Sequence, residues 1–266
     1  MKYQFIEEDG QHLHTLDGRS LTGTSSVEAV LSKPLTWWAS GLAVSKFGWL
    51  NPKKHTQEEC AVACEEAFER IKNLERDDYA KLLNEAYRAH SVKLKDSAKS
   101  GIDLHAELEK WVKYRMGIIK ESGKIDDKIT PFVLWAEDNV KKFLWSEAHC
   151  FDEDLWVGGI SDAGAELKDG NYAVIDFKSS KEAYTNQFIQ AAGYALQIDK
   201  NGLWSKDGET NKKLDKPIST LIIVPFGAEE IKPEIRYVVS EYKKGFEWCV
   251  GLYRLLGLDS NYQQLK

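Results

Sequence analysis

The sequence predicts an α/β protein: a mixed sheet of about five strands flanked by helices, with a helical N-terminal subdomain. Three observations predict it. Residues 25–121 carry helical patterning punctuated by Pro34, Pro52 and Gly101. Residues 143–178 carry short apolar and β-branched runs joined by turn signals. An amphipathic stretch at 181–199 is then followed, past a polar segment, by the apolar run STLIIVP at 219–225. The expected division is residues 1–100, hairpin and helical subdomain, and residues 101–266, the core that carries the chemistry.

Taken in order, residues 1–22 read as a β-hairpin, with Tyr3-Gln-Phe-Ile, a turn at Asp9-Gly10 and a return at His12 to Leu16. Helices are expected at 26–33, 35–46, 56–76, 78–91 and 101–119. A helix from Pro131 to about Lys142 leads into strands at 143–151, 155–167 and 172–178. Asn201 to Lys216 is a polar loop, Ile235 to Val239 an edge strand and Glu241 to Leu256 a closing helix.

The chemistry concentrates between Gly158 and Gln197. Ala173 to Phe177 (AVIDF) is a strand, and Asp169-Gly170 turns it back against its predecessor. Side chains alternate along a strand, so Asp176 and Lys178 share one face while Ile175 and Phe177 share the other. Asp162 lies fourteen positions before Asp176, a separation that a hairpin folds into adjacency. Two carboxylates at one spot repel unless a cation neutralises them, and a hard divalent ion, Mg²⁺ or Mn²⁺, suits oxygen ligands. Lys178 would orient or deprotonate an attacking water, or hold a phosphate as a point charge. A salt-bridged hairpin rim is the plainer account of Asp176 and Lys178 alone. On the following helix Gln190 and Tyr194 lie one turn apart on a common face, within reach of the lysine, a phosphate oxygen or a base edge.

These residues resemble the PD-(D/E)XK nuclease superfamily, in its RecB-like exonuclease branch. The resemblance rests on Gly159-Ile-Ser-Asp162, Asp176-Phe-Lys178 and Gln190-Ala-Ala-Gly-Tyr194, preceded by Gly101-Ile-Asp-Leu-His105-Ala-Glu-Leu-Glu109. Gly23-Thr-Ser-Ser-Val27, then Leu35-Thr-Trp-Trp-Ala39, is similar to the opening of small phage exonucleases and of the mitochondrial genome maintenance exonuclease, with Glu28 where that pattern has Thr. The resemblance implies a restriction-endonuclease-like core and a metal-dependent DNA exonuclease preferring single strands or free ends. His105, Asp162, Asp176 and the Phe177 main-chain carbonyl would bind Mg²⁺ or Mn²⁺, with Lys178 as the catalytic lysine. Gln190, Tyr194, Glu109 and Glu147 would support the metal site or position the strand. A structure-specific endonuclease and a vestigial nucleic-acid-binding protein are the alternatives.

Composition sets the bounds. The chain has 266 residues, 42% hydrophobic and 11% aromatic, enough for a packed interior. No apolar run of membrane-spanning length occurs, and the polar, acidic N-terminus is not that of an ordinary signal or transit peptide, so a cytoplasmic protein is expected, in the host cytoplasm if of phage origin. A net charge of −6 argues for weak, salt-dependent binding to DNA, with Lys93-Leu-Lys95, Lys99 and Lys178-Ser-Ser-Lys181 as candidate basic contacts. Trp37, Trp38, Trp49 and Trp111 are candidates for stacking on bases, or are core. Cys60 and Cys64, one turn apart near His55, are expected to be two buried helical thiols, with a zinc half-site as the alternative. With only Cys249 near the C-terminus, the iron–sulfur cluster of some RecB-like nucleases is not expected.

Overall fold

A computed structural model describes residues 2–8, 11–31, 36–123, 125–227 and 231–263. The expected turn at Asp9-Gly10, Pro34 and Leu35 lie outside the described residues, as do the side chains of Lys95 and Lys99. In chain order the elements are β1 (Tyr3–Glu8), β2 (Gln11–Leu16), β3 (Arg19–Ser20), β4 (Thr22–Gly23), α1 (Thr24–Val27), a 3₁₀ turn (Glu28–Leu31), α2 (Thr36–Ser45), α3 (Gln57–Ile71), α4 (Arg76–Arg115) and α5 (Thr130–Asn139). There follow β5 (Val140–Asp152), β6 (Val157–Leu167), β7 (Tyr172–Lys178), α6 (Thr185–Asn201), β8 (Leu203–Trp204), β9 (Asn211–Lys212), β10 (Ile218–Pro225), β11 (Glu234–Arg236), α7 (Val239–Leu255) and α8 (Ser260–Gln263).

The fold is α/β. The main sheet has the order β11-β10-β7-β6-β5-β8-β9, with β4 added beside β6. β5, β6 and β7 run antiparallel, whereas β7 and β10 are parallel, joined by a crossover through α6. The sheet is therefore mixed, as expected, and larger than about five strands because short β4, β8 and β9 add to it. The polar 201–216 segment carries the β8–β9 pair, Leu203↔Lys212 and Trp204↔Asn211. The Asp169-Gly170 turn forms as expected: Gly170 takes φ +87° and Asn171 N–H donates to Asp169 Oδ1.

The alternation along β7 sorts its side chains between two cores. Ala173, Ile175 and Phe177 pack with Leu108, Trp111 and Val112 of α4 and with Phe132 of α5. Val174, on the opposite face, packs with Phe188, Ala191 and Ala195 of α6. Full burial of such side chains is worth roughly 1.5–3 kcal/mol each, so a one-residue slip of β7 is strongly disfavoured. That register fixes Asp176 and Lys178 on the α6 side.

The chain divides into two compact units, residues 1–32 with 101–266, and residues 33–100. The N-terminal hairpin thus belongs with the sheet, not with the helical segment as the expected 1–100 division had it. The reason is pairing: β4 joins β6 through Thr22↔Val157 and Gly23↔Gly158, and Tyr3 is buried beside Phe151 of β5. In the 33–100 unit, α3 begins with a capping box, Glu59 N–H donating to Thr56 Oγ1 and Thr56 N–H to Glu59 Oε2.

The expected break at Gly101 does not occur. Arg76–Arg115 is one helix in place of the two expected at 78–91 and 101–119. An interior glycine costs about 1 kcal/mol relative to alanine, too little to end a helix whose C-terminal turns are packed. The stop comes at Gly117, φ +73°, where Ile118 N–H bonds Lys113 C=O and Gly117 N–H bonds Tyr114 C=O.

Candidate metal centre

Three adjacent strands bring three acids into one row. Between β6 and β7 the last ladder pair is Ala163↔Ile175, so the next step sets Asp162 against Asp176. Between β5 and β6 the pairs Ser146↔Ala163 and Ala148↔Ser161 flank the position where Glu147 faces Asp162. Glu147 has φ +51°, the left-handed region that a non-glycine residue enters at a cost of roughly 1–2 kcal/mol.

Asp162 is the hub. Its Oδ2 accepts the backbone N–H of Phe177 at 2.8 Å and meets His105 Nε2, from α4, at 3.0 Å. His105 Nδ1 lies 3.9 Å from Glu147 Oε1, and the imidazole stands edge-on to the Phe177 ring at 5.7 Å. One ligand atom each from His105, Glu147 and Asp162 falls within 4.8 Å of the others, a set able to hold a metal ion. Asp176 lies outside that group. It is almost fully buried, at 1% exposure, with Lys178 Nζ 2.8 Å from its Oδ2 in an ion pair that leaves this oxygen without an aligned donor.

The lysine is held from α6. Lys178 Nζ donates to Gln190 Oε1 at 2.7 Å, and Gln190 Nε2 donates to Tyr194 OH at 2.9 Å. The glutamine–tyrosine spacing thus forms a hydrogen-bonded line that aims the ammonium. Gly159 has a separate, steric reason: a Cβ there would stand 2.7 Å from Tyr194 Cε1 and 2.8 Å from Thr24 Oγ1. Glu109 is engaged by Lys113, one turn on, and faces the same cavity as Glu147.

The electrostatics are those of crowded carboxylates. Burial, with Asp162 and Glu28 adding, pushes Asp176 up to about 7 against the opposing Lys178 charge. Burial, Asp162 and Glu109 push Glu147 up to about 7, against His105 and Lys113. For His105 burial works downward, but the Asp162 hydrogen bond and the charges of Asp162, Glu147 and Asp176 lift it to about 9. Burial likewise opposes the Lys178 ammonium, and Asp176, Asp162 and Glu28 outweigh it, raising its pKa above the ordinary lysine value. Lys178 is therefore a cation here, suited to donate hydrogen bonds.

A cavity of about 620 Å³ opens on this cluster, walled by His105, Glu147, Asp162 and Tyr194 and by His14 and Ser25 from the N-terminal segment. Sequence reasoning missed this wall, and it missed Glu28. Asn186 of α6 donates to Glu28 Oε2 at 3.3 Å, and the Glu28 charge is felt by both Lys178 and Asp176. Its only signal in the sequence was the departure from Thr at that place. Elsewhere, Trp111 is core, whereas Trp37 is exposed. Cys60 and Cys64 are free thiols that join no metal-holding group among the described residues, but they are not buried as expected: Cys64 is exposed and Cys60 half-buried, because α3 buries Ala67 rather than its thiols.

Among the described residues no helix is long and apolar enough to cross a membrane. Neither a protein-family model nor a curated protein matches the chain.

Proposed function

We propose that this protein is a Mg²⁺- or Mn²⁺-dependent deoxyribonuclease with a restriction-endonuclease-like core, an exonuclease that acts on single-stranded DNA or free ends. The observation that carries the reading is the convergence of His105, Glu147 and Asp162 beside the Asp176–Lys178 pair. The donor set fits a divalent cation: one imidazole with several carboxylates, two of which, Glu147 and Asp176, are driven toward neutrality by burial and by the Asp162 charge, and a buried Asp176 oxygen with no aligned donor. His105, Asp162 and Glu147 would hold the ion, with Asp176 at its margin.

Bound there, the ion would supply a Lewis acid for a phosphate oxygen and a more acidic water. The chain's own groups do the rest. Phe177 N–H holds the Asp162 carboxylate in place, so it needs little reorganisation when a phosphate arrives. Gln190 holds the Lys178 ammonium, which donates to a phosphate oxygen or orients the attacking water as a point charge. Tyr194 anchors Gln190 and shapes the wall against Gly159.

The deciding experiment is cleavage of end-labelled linear and closed circular single-stranded DNA with Mg²⁺ or Mn²⁺, beside the Asp176→Ala and Lys178→Ala variants. The reading expects digestion of the linear strand, an intact circle and loss of activity in both variants. A cut circle would convert the assignment to an endonuclease. Full cleavage in excess EDTA would refute the metal dependence.

A further inference from the structure

We propose a second nucleic-acid site, in the 33–100 unit: the groove between α2 and α4 binds a single strand, with Lys46, Arg88 and Lys93 holding its phosphates. The groove is a cavity of about 640 Å³ formed entirely within that unit. On α4 its wall is one helical face, Lys81, Glu85, Arg88, Val92 and neighbours at three- and four-residue spacing. Leu42 and Ser45 of α2 face it, with Lys46 just beyond the helix.

Charge is the first argument. The chain is acidic overall, yet residues 33–100 hold 12 Lys and Arg against 10 Asp and Glu, a balance of +2. The remaining residues hold 24 against 32, a balance of −8. The groove gathers four cations with a single acid, Glu85. Lys81 pairs with Asp78 at 2.8 Å, on an exposed helix face where such a pair is weak. Lys46, Arg88 and Lys93 make no ion pair among the described residues, and Arg70 donates to the Lys46 carbonyl at 2.8 Å, fixing the backbone that carries that lysine. From Lys81 to Lys93 the helix rises about 18 Å, a span that covers several phosphates.

The floor is the second argument. Leu42, Ala89 and Val92 give the groove an apolar base, which suits base faces better than the carboxylates of an acidic peptide. Trp38, four residues before Leu42 on the same face of α2, is 38% exposed and offers a ring for stacking. The choice of nucleic acid over another polyanion rests on the nuclease reading; the cationic groove itself does not.

The test separates the two. Anisotropy of a labelled 20-nucleotide oligothymidine is measured in EDTA, across 50 to 200 mM salt, so no cleavage or metal enters. The triple variant Lys46→Glu, Arg88→Glu, Lys93→Glu should bind at least tenfold more weakly. Its log–log salt slope should be shallower by about 2, since each single-strand phosphate contact contributes about 0.7. The milder Lys46→Gln, Arg88→Gln, Lys93→Gln variant, checked for native helicity, should show the same slope change with a smaller loss. Unchanged affinity and slope in the glutamine variant would overturn the proposal. So would a poly-glutamate peptide that competes as well as the oligonucleotide.

Discussion

Glu147 faces Asp162 across two antiparallel strands, and it does so from a left-handed backbone, φ +51°, that few side chains adopt. A strained backbone and two repelling carboxylates at one place are costs that a metal-free fold gains nothing from. The proposed cation between them would offset the repulsion and so give the strain a purpose.

Replacing Glu147 should therefore separate stability from metal binding. Glu147→Asn removes the charge and tolerates the left-handed conformation. It should stabilise the metal-free protein by about 1 kcal/mol and weaken Mn²⁺ binding at least tenfold. Thermal melts with and without Mn²⁺ read both effects, and a loss of metal-free stability would count against this view of the strand.

Gln190 should matter through Lys178 alone. Gln190→Ala leaves the ammonium without its 2.7 Å acceptor, so kcat should fall roughly 10- to 100-fold with KM little changed. Tyr194→Phe removes only the far end of the line and should cost less. Steady-state cleavage of a short single strand measures both, and equal losses in KM would point to strand binding instead.

Gly159 should be intolerant of the smallest side chain. Gly159→Ala drives a methyl into Tyr194 and Thr24, and overpacking of this kind costs about 1–3 kcal/mol. Pairing it with Tyr194→Ala, which vacates the space, should recover part of the stability in a double-mutant cycle.

Acid should loosen the N-terminal hairpin. Tyr3 OH lies 2.6 Å from His14 Nδ1 and 3.2 Å from His149 Nδ1, inside the protein. Burial, with His149 and His12 adding, holds His14 down at about 3, and burial, with Lys206 and His12 adding, holds His149 at about 4. Both folded values lie below the ordinary 6.5, so the unfolded chain binds more protons. Stability from these groups is full above pH 6.5 and is lost as pH falls toward 4 and 3. Each contributes at most about 1.4 kcal/mol per pH unit in that window. In EDTA, wild type should lose stability relative to His14→Asn between pH 6.5 and 4.5; parallel curves would show that His14 is not the group responsible.

What the sequence made legible was local. The Asp169-Gly170 turn and the alternation in AVIDF set Asp176 and Lys178 on the face away from Ile175 and Phe177, and counting back from the turn placed Asp162 opposite Asp176. Glu109 and Glu147 were expected near the site, and both line its cavity. Long-range pairing was not legible. Nothing near Thr22 announces that it adds to the sheet beside Val157, and nothing near Glu28 announces its field at Lys178. The left-handed turn at Glu147 is also silent in the sequence, because no glycine or asparagine marks it. Gly101 misled for a different reason: propensity is a weak term that packing of the helix beyond it overrides.

The most direct test is an anomalous difference map from crystals of the protein grown with Mn²⁺. The proposed site calls for a single strong peak within coordination distance of His105 Nε2 and of carboxylate oxygens of Glu147 and Asp162, beside the Lys178 ammonium. No peak at millimolar Mn²⁺, or a peak held by other residues, would contradict it.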